Sequence, residues 1–209
     1  MTPDLPLPKN PLPANPPRRR LLAAAAAFGL APCGLGSAGS AFAHGSFGPL
    51  DPALAAPALS LQSLDGKRVE LATLLRGQVT ALQLMFTGCS ATCPIQGAMF
   101  AEVQQRLGND DPRLRLLSIS IDPLGDDLKA LRSWLAKFGA QAPRWSAALP
   151  QLRDVDRLLD TLRGRAPGAD RHTAQAFVFD RQARLVYRTE DMPNPVELVR
   201  LMQRVGARG

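Results

Sequence analysis

The feature that most constrains the fold is the run of residues 79–86 (VTALQLMF), which is apolar along most of its length. A run of this length that opens with β-branched residues is typical of a buried strand. Apolar residues then recur at helical spacing over residues 95–107, which predicts a helix. A short loop joins this strand to this helix, so it lies at the carboxyl end of a buried strand. Open α/β sheets usually have their functional sites at that end of the strands.

The remaining hydrophobic pattern supplies the order of the other elements. Residues 59–62 and 68–71 alternate around the turn Asp65-Gly66 and predict a hairpin. The later segments are a buried strand at 114–121, helices at 128–138 and 152–162, short strands at 176–179 and 185–187, and a last helix from about residue 195, capped by Asn194. This order predicts an α/β fold, a thioredoxin-like sandwich with a mixed central sheet and helices on both faces.

The first 43 residues have the composition of an export signal. Three arginines at 18–20 precede a short apolar segment, and small residues then end in Ala41-Phe42-Ala43. The arginines resemble the twin-arginine type of signal. We therefore expect a periplasmic or otherwise extracytoplasmic protein, and retention of the leader as a membrane anchor stays open. Residues 44–57 are rich in proline and glycine and are interpreted as a linker, and residues 58–209 as one domain.

The loop after the first buried strand contains two cysteines four residues apart, Cys89 and Cys93. The third cysteine, Cys33, is removed if the leader is cleaved, which leaves an even number, as suits an oxidising compartment. Pro94 is well placed as the first residue of the helix, so Cys93 is expected at the helix mouth, where anions are favoured and thiols are reactive. The pair could be a structural clip, a redox couple or two metal ligands, and the short loop makes the clip the weakest of these.

A pair of metal-binding thiolates selects Cu(I) among the common metals but calls for a third ligand. The exported part has two histidines, His44 and His172. His44 would become the first residue after cleavage, where an α-amino group beside an imidazole can chelate copper. A histidine in a loop is often an ordinary surface residue, but the predicted topology places the loop of His172 beside the amino end of the first long helix.

Three segments, in this order, resemble the Sco/SenC family: residues 86–94 (FTGCSATCP), 120–123 (SIDP) and 171–173 (RHT). The resemblance runs from about residue 59 to residue 205. It implies an exported or membrane-anchored thioredoxin-like protein that delivers copper, as Cu(I) or Cu(II), to cytochrome c oxidase. It also implies that Cys89, Cys93 and His172 bind the metal and that the two cysteines form a disulfide when oxidised.

The chain departs from the family pattern at two places. Ser90 stands where many members have proline, and residues 126–128 (DDL) replace the usual acid-threonine-proline run. Neither departure changes an implied ligand, but both leave the identity of the partner open. The resemblance implies a copper-site subunit of cytochrome c oxidase, or another exported copper protein, together with a thiol reductant protein.

The expected activity is transfer of copper rather than catalytic turnover, with release of the ion when the two thiols are oxidised. The alternative is a thiol–disulfide oxidoreductase in which Cys89 and Cys93 are the redox pair and act on an oxidase subunit or another exported protein. Asp122 is a candidate for orienting the site. Met85 and Met99 are candidates for thioether ligands, although core packing is the simpler interpretation of both.

Nucleic-acid binding is not expected. The net charge is +7, but much of the basic surplus lies in the leader, and aromatic residues make up only 5% of the chain. The simpler interpretation is a solvated basic surface, with the anionic lipid of a membrane surface or an acidic partner as the candidates for what lies near it.

Overall fold

The computed structural model describes residues 47–108, 111–167 and 171–208. The predicted export signal with its Cys33, and His44, lie outside the described residues. No helix in the described part of the chain combines the length and the apolar character needed to cross a membrane.

Eight strands and five helices make up these described ranges. The strands are β1 (Gly48–Ala55), β2 (Ser60–Ser63), β3 (Arg68–Glu70), β4 (Val79–Met85), β5 (Leu114–Ser120), β6 (Trp145–Pro150), β7 (Gln175–Phe179) and β8 (Arg184–Asp191). The helices are α1 (Leu71–Leu75), α2 (Thr92–Leu107), α3 (Leu128–Lys137), α4 (Leu152–Leu162) and α5 (Pro195–Ala207).

All eight strands form one sheet in the order β1-β8-β7-β4-β5-β6-β2-β3. Strands β4, β5 and β6 are parallel, and the other pairings are antiparallel. The carboxyl ends of the three parallel strands therefore meet at one edge of the sheet. The loop that carries Cys89 and leads to Cys93 in α2 leaves the sheet at this edge.

Helices cover both faces of the sheet, and β4 divides the core. Its side chains Ala81 and Met85 join the hydrophobic cluster beneath α2, α3 and α5. Leu82 and Leu84 point the other way, into the cluster beneath α1 and α4. Because successive residues of a strand face opposite sides, a strand covered on both faces must be apolar almost throughout. The predicted α/β sandwich with a mixed central sheet is confirmed.

The interpretation of residues 44–57 as a linker is wrong for the part that forms β1. This strand pairs antiparallel with β8, with Pro49 opposite Tyr187 and Leu54 opposite Leu185. Prolines argued against a strand here, but β1 lies at the edge of the sheet, where a missing N–H on the open side breaks no hydrogen bond.

Two further elements were not predicted. Strand β6 has the sequence WSAALP, in which small residues weaken the hydrophobic alternation, and a proline closes it. Helix α1 has only five residues and follows β3 without a loop, so the sequence pattern extends the strand into it. Neither omission moves the cysteine loop.

Candidate functional site

The two cysteines lie at the amino end of α2, one outside the helix and one within it. Cys89 belongs to the loop of residues 86–91 and is partly exposed, whereas Cys93 is 0% exposed. No disulfide joins these two residues in the structure. Ala91 at the N-cap offers no side-chain cap, and the backbone N–H of Cys93 instead donates a hydrogen bond to Sγ of Cys89 over 3.3 Å. The sulfur of Cys89 thus satisfies one of the backbone donors at the helix start.

The helix begins earlier than Pro94 suggested. It starts at Thr92, so Cys93 lies within the first turn and not just before it. The bias against helical backbone before a proline is a preference only, and proline is tolerated in a first turn because those N–H groups have no acceptor inside the helix. The backbone of Cys93 is therefore held by the helix and is not part of the loop.

His172 faces Cys93 across the site. Its Nε2 lies 3.7 Å from Sγ of Cys93, and its ring is 3% exposed. The other ring nitrogen, Nδ1, is 2.9 Å from the backbone oxygen of Thr173. A carbonyl oxygen can only accept, so Nδ1 donates a proton there and, in the neutral ring, Nε2 presents its lone pair to the sulfur. This is the tautomer that a metal ligand needs.

A short ladder holds the segment of His172 against the end of α4. Arg165 and His172 form an antiparallel bridge, and the N–H of Thr173 donates to the oxygen of Gly164 over 2.8 Å. The side chain of Arg165 reaches back to the helix, where it donates to Asp160 over 2.5 Å and to Asp156 over 2.8 Å. These hydrogen bonds raise the pKa of Arg165 and lower that of Asp160. The ladder is therefore attached to α4 as well as to the sheet.

A buried arginine, Arg188, also binds the carboxyl end of α4. Nε of Arg188 donates to the backbone oxygen of Leu162 over 2.7 Å, and the side chain also reaches Thr161. Burial, together with nearby Arg163, lowers the pKa of the Arg188 guanidinium. A cation at the carboxyl end of a helix complements the helix dipole, so this contact stabilises the end of α4 from which the ladder starts.

Gly164 in this ladder packs too closely to accept a side chain. A Cβ there would lie 2.7 Å from Cδ1 of Leu84 and 3.2 Å from Cζ of Phe177, both fully buried. We expect Gly164→Ala to lower the free energy of unfolding by about 1–3 kcal/mol, the usual cost of overpacking a core. Urea unfolding measures this. Gly206→Ala is the matched control, because its Cβ would meet Leu114 and Val79 at 3.5 and 3.7 Å, which is ordinary contact. Equal unfolding midpoints for Gly164→Ala and the parent would contradict the expectation.

The other candidate residues are placed as follows. Oδ1 of Asp122 accepts a hydrogen bond from the N–H of Gly125 over 3.2 Å, so the side chain caps its own turn. Met85 and Met99 are buried in the cluster beneath α2, as core packing requires. Any contribution of these three to a metal site stays a prediction.

Sequence reasoning missed one residue that does reach the cysteine loop, Asp126. Its carboxylate accepts hydrogen bonds from the backbone N–H and the hydroxyl of Thr87, two residues before Cys89. The available signal was that Asp126 keeps the acid of the family's acid-threonine-proline run. Nothing in the sequence indicated which loop that acid contacts.

The donor atoms are partly arranged for a metal ion. First-row ions such as Zn²⁺ bond to sulfur at about 2.3 Å and to imidazole nitrogen at about 2.0 Å, so two such donors on a trigonal ion lie about 3.7 Å apart. The pair Cys93 and His172 has this separation. Among the described residues, however, no three His, Cys, Asp or Glu side chains form a ready-made metal-binding group. The third expected donor, Cys89, is partly exposed, and its neighbours Gly88 and Ser90 are exposed.

Comparisons with known proteins show the family to which the chain is similar. The SCO1/SenC family model matches residues 50–206. A SCO1 protein homolog of Bacillus subtilis (strain 168) is 31% identical over 86 residues, which are 41% of this chain and 44% of the relative. The alignment thus spans less than half of that relative's length.

Solved structures share the fold. BsSco, described as a member of the Sco family of cytochrome c oxidase assembly proteins with a disulfide switch, gives a TM-score of 0.66 at 18% identity over 78% of this chain and 99% of that one. Bradyrhizobium japonicum ScoI with copper bound gives 0.60 at 24% identity over 73% and 99%. These likenesses confirm the predicted thioredoxin-like fold.

Proposed function

The chain belongs to the SCO1/SenC family, and from this we propose that it is a copper chaperone that delivers copper to cytochrome c oxidase or a related copper enzyme. The observation that carries the proposal is the separation of 3.7 Å between Sγ of Cys93 and Nε2 of His172, with the Nε2 lone pair directed at the sulfur. The copper-bound Bradyrhizobium japonicum ScoI supports copper as the cargo.

Copper is held by Cys89, Cys93 and His172. Two thiolates and an imidazole are soft and borderline donors that favour Cu(I) and also accept Cu(II). Binding releases the two thiol protons, because cysteine binds metal as thiolate. Cys93 and His172 are buried and fixed, whereas Cys89 is the accessible donor that joins or leaves. A partner's ligands can therefore replace Cys89 first, which suits stepwise transfer.

The redox state of the thiols controls the cargo. Oxidation joins Cys89 and Cys93 in a disulfide by exchange with an exported disulfide oxidant, which is reduced to two thiols. The oxidant takes two electrons from the sulfur atoms, and its two protons come from the thiols of the metal-free protein or from solvent when the sulfurs held copper. Both thiolate donors are then lost and copper leaves. The disulfide switch named for BsSco supports this control. A thiol reductant protein restores the dithiol.

A second candidate function is reduction of a partner's disulfide, such as one in an oxidase subunit. Cys89 is accessible, and its sulfur accepts a hydrogen bond from the helix N–H of Cys93, as a nucleophilic thiol would. Buried Cys93 would then resolve the mixed disulfide. This function needs no imidazole, so His172 separates the two candidates.

The site of action is proposed to be extracytoplasmic, either periplasmic or at the outer face of a membrane. The leader composition of residues 1–43 supports export. The chemistry agrees, because a switch between thiol and disulfide operates in an oxidising compartment.

Anaerobic titration of the reduced protein with Cu(I), in competition with a chromophoric chelator, tests the proposal. We expect one tightly bound copper ion per chain, because the site has one His172 and one cysteine pair. Modification of both thiols with iodoacetamide before the titration is the control and should remove this binding. Failure of the unmodified, reduced protein to compete with the chelator would contradict the copper function.

A further inference from the structure

Asp126 is the centre of a hydrogen-bond network that joins two loops at the carboxyl edge of the sheet. Its oxygens lie 3.1 and 3.2 Å from the backbone nitrogen of Thr87, and the Thr87 hydroxyl also donates to it. The hydroxyl of Ser120 donates to Oδ2 over 2.6 Å and accepts from the N–H of Asp122 over 3.0 Å. The loop after β5 is thus tied to the loop after β4, at the residue from which the cysteine segment departs.

The carboxylate is buried without a cation. Asp126 is 6% exposed, and none of the ion pairs within the described ranges includes it. Burial of a charge is costly unless hydrogen bonds compensate it. Two hydroxyls and one amide do so here: the amide and one hydroxyl belong to Thr87 in the cysteine loop, and the other hydroxyl belongs to Ser120, the last residue of β5. A network of this kind fixes a local geometry more than it adds stability.

The network matters to the proposed metal site because it holds the residue from which the segment of Cys89 departs. Cys93 and His172 face each other, and Cys89 is the proposed third donor. The segment that carries Cys89 is short and held at both ends, since α2 begins at Thr92 and Asp126 binds Thr87.

We propose that Asp126 is a positioning residue: it anchors Thr87, so that the short segment between Thr87 and α2 keeps the Cys89 sulfur at a high effective concentration near Cys93. The inference rests on the proposed copper function only for its metal-binding consequence. A short, anchored segment favours closure of a ring between the Cys89 and Cys93 side chains, whether a metal ion or a disulfide bond closes that ring.

Asp126→Asn should lower both the Cu(I) affinity and the stability of the Cys89–Cys93 disulfide. Asparagine keeps the size, but it brings a donating NH₂ group to a position that is surrounded by donors. We expect an approximately tenfold weaker Cu(I) affinity and an approximately tenfold less stable disulfide, which is a reduction potential higher by about 30 mV. Competition with a chelator measures the first, and equilibration of the metal-free protein with glutathione measures the second.

Two variants separate positioning from charge and from misfolding. Asp127→Asn is the matched control: it removes the same charge one residue away, and asparagine still caps α3 through Ala130. It should leave both quantities unchanged. Thr87→Val removes one hydrogen bond to Asp126 without a change of charge, and it should shift both quantities in the same direction as Asp126→Asn.

A double-mutant cycle tests whether Asp126 affects copper affinity through Cys89. In a Cys89→Ser background, Asp126→Asn should no longer change the residual copper affinity of Cys93 and His172. Persistence of the tenfold loss in that background, or an equal shift for Asp127→Asn, would overturn the inference. The glutathione measurement needs no copper, so a parent protein that binds none would reject the proposed function and still test the role of Asp126.

Discussion

Replacement of His172 by alanine is expected to weaken Cu(I) binding by the reduced protein by a factor of about 100 or more. Loss of a single group that merely supports a ligand already costs about 10–100-fold in affinity, and His172 is proposed as a ligand itself. Its Nε2 is one of the two donors that the fold places at metal-bridging distance. Because Nδ1 is committed to the oxygen of Thr173, the ring has no second nitrogen to offer. Anaerobic competition with a chromophoric chelator measures the loss.

The same variant distinguishes the two candidate functions. A copper chaperone loses its affinity, whereas a dithiol reductase keeps its rate of reduction of a model disulfide, since Cys89 and Cys93 remain. Arg171→Gly serves as the matched control. Arg171 is the exposed neighbour of His172 and has a φ of 55°, a conformation that glycine adopts without strain. Parent-like affinity in His172→Ala would remove His172 from the ligand set and leave only a dithiol.

The sequence could predict the place of the cysteines because local rules determine it. An apolar strand, a loop and a proline in the first turn follow one another within 16 residues, and no tertiary information is needed to order them. The contact of His172 with Cys93 joins residues far apart in the sequence, but the sheet topology makes it predictable. Strand β7 pairs antiparallel with β4, so the segment entering β7 lies beside the segment leaving β4. The helix start was displaced by two residues because the rule about proline is statistical.

The contacts between loops could not be predicted from the sequence. The hydrogen bonds of Asp126 to Thr87 join residues 39 positions apart, and no periodicity relates them. The ladder between Arg165 and His172 likewise depends on how α4 ends. Strand β1 was missed for a different reason: its prolines are acceptable only because the strand lies at the edge, and edge position is a property of the whole sheet. Local patterns thus predicted where the two cysteines lie, whereas the hydrogen bonds that hold the loops around them required the structure.

Oxidation of Cys89 and Cys93 to a disulfide is expected to abolish tight copper binding, with a loss of at least about 1000-fold in affinity. Two of the three donors disappear at once, and the remaining imidazole of His172 is a single buried ligand. The Cys89 sulfur lies 3.3 Å from the backbone nitrogen of Cys93, so the two cysteines are neighbours at the start of α2. The metal-free protein is oxidised first, its thiols are counted, and copper is then titrated. Dithiothreitol followed by gel filtration should restore binding.

Cys89→Ser and Cys93→Ser show whether the loss comes from the disulfide or from damage to the fold. Neither variant can close the ring, so the weaker copper affinity of each should be insensitive to a mild disulfide oxidant that does not attack lone thiols. Cys93→Ser should bind more weakly than Cys89→Ser, because it removes the buried sulfur that faces His172, whereas the partly exposed position of Cys89 can be filled by an external thiol. Equal copper affinity of the oxidised and the reduced parent would show that the sulfur atoms are not ligands. In that case transfer could not be controlled by the thiols, and the reductase would be the remaining function.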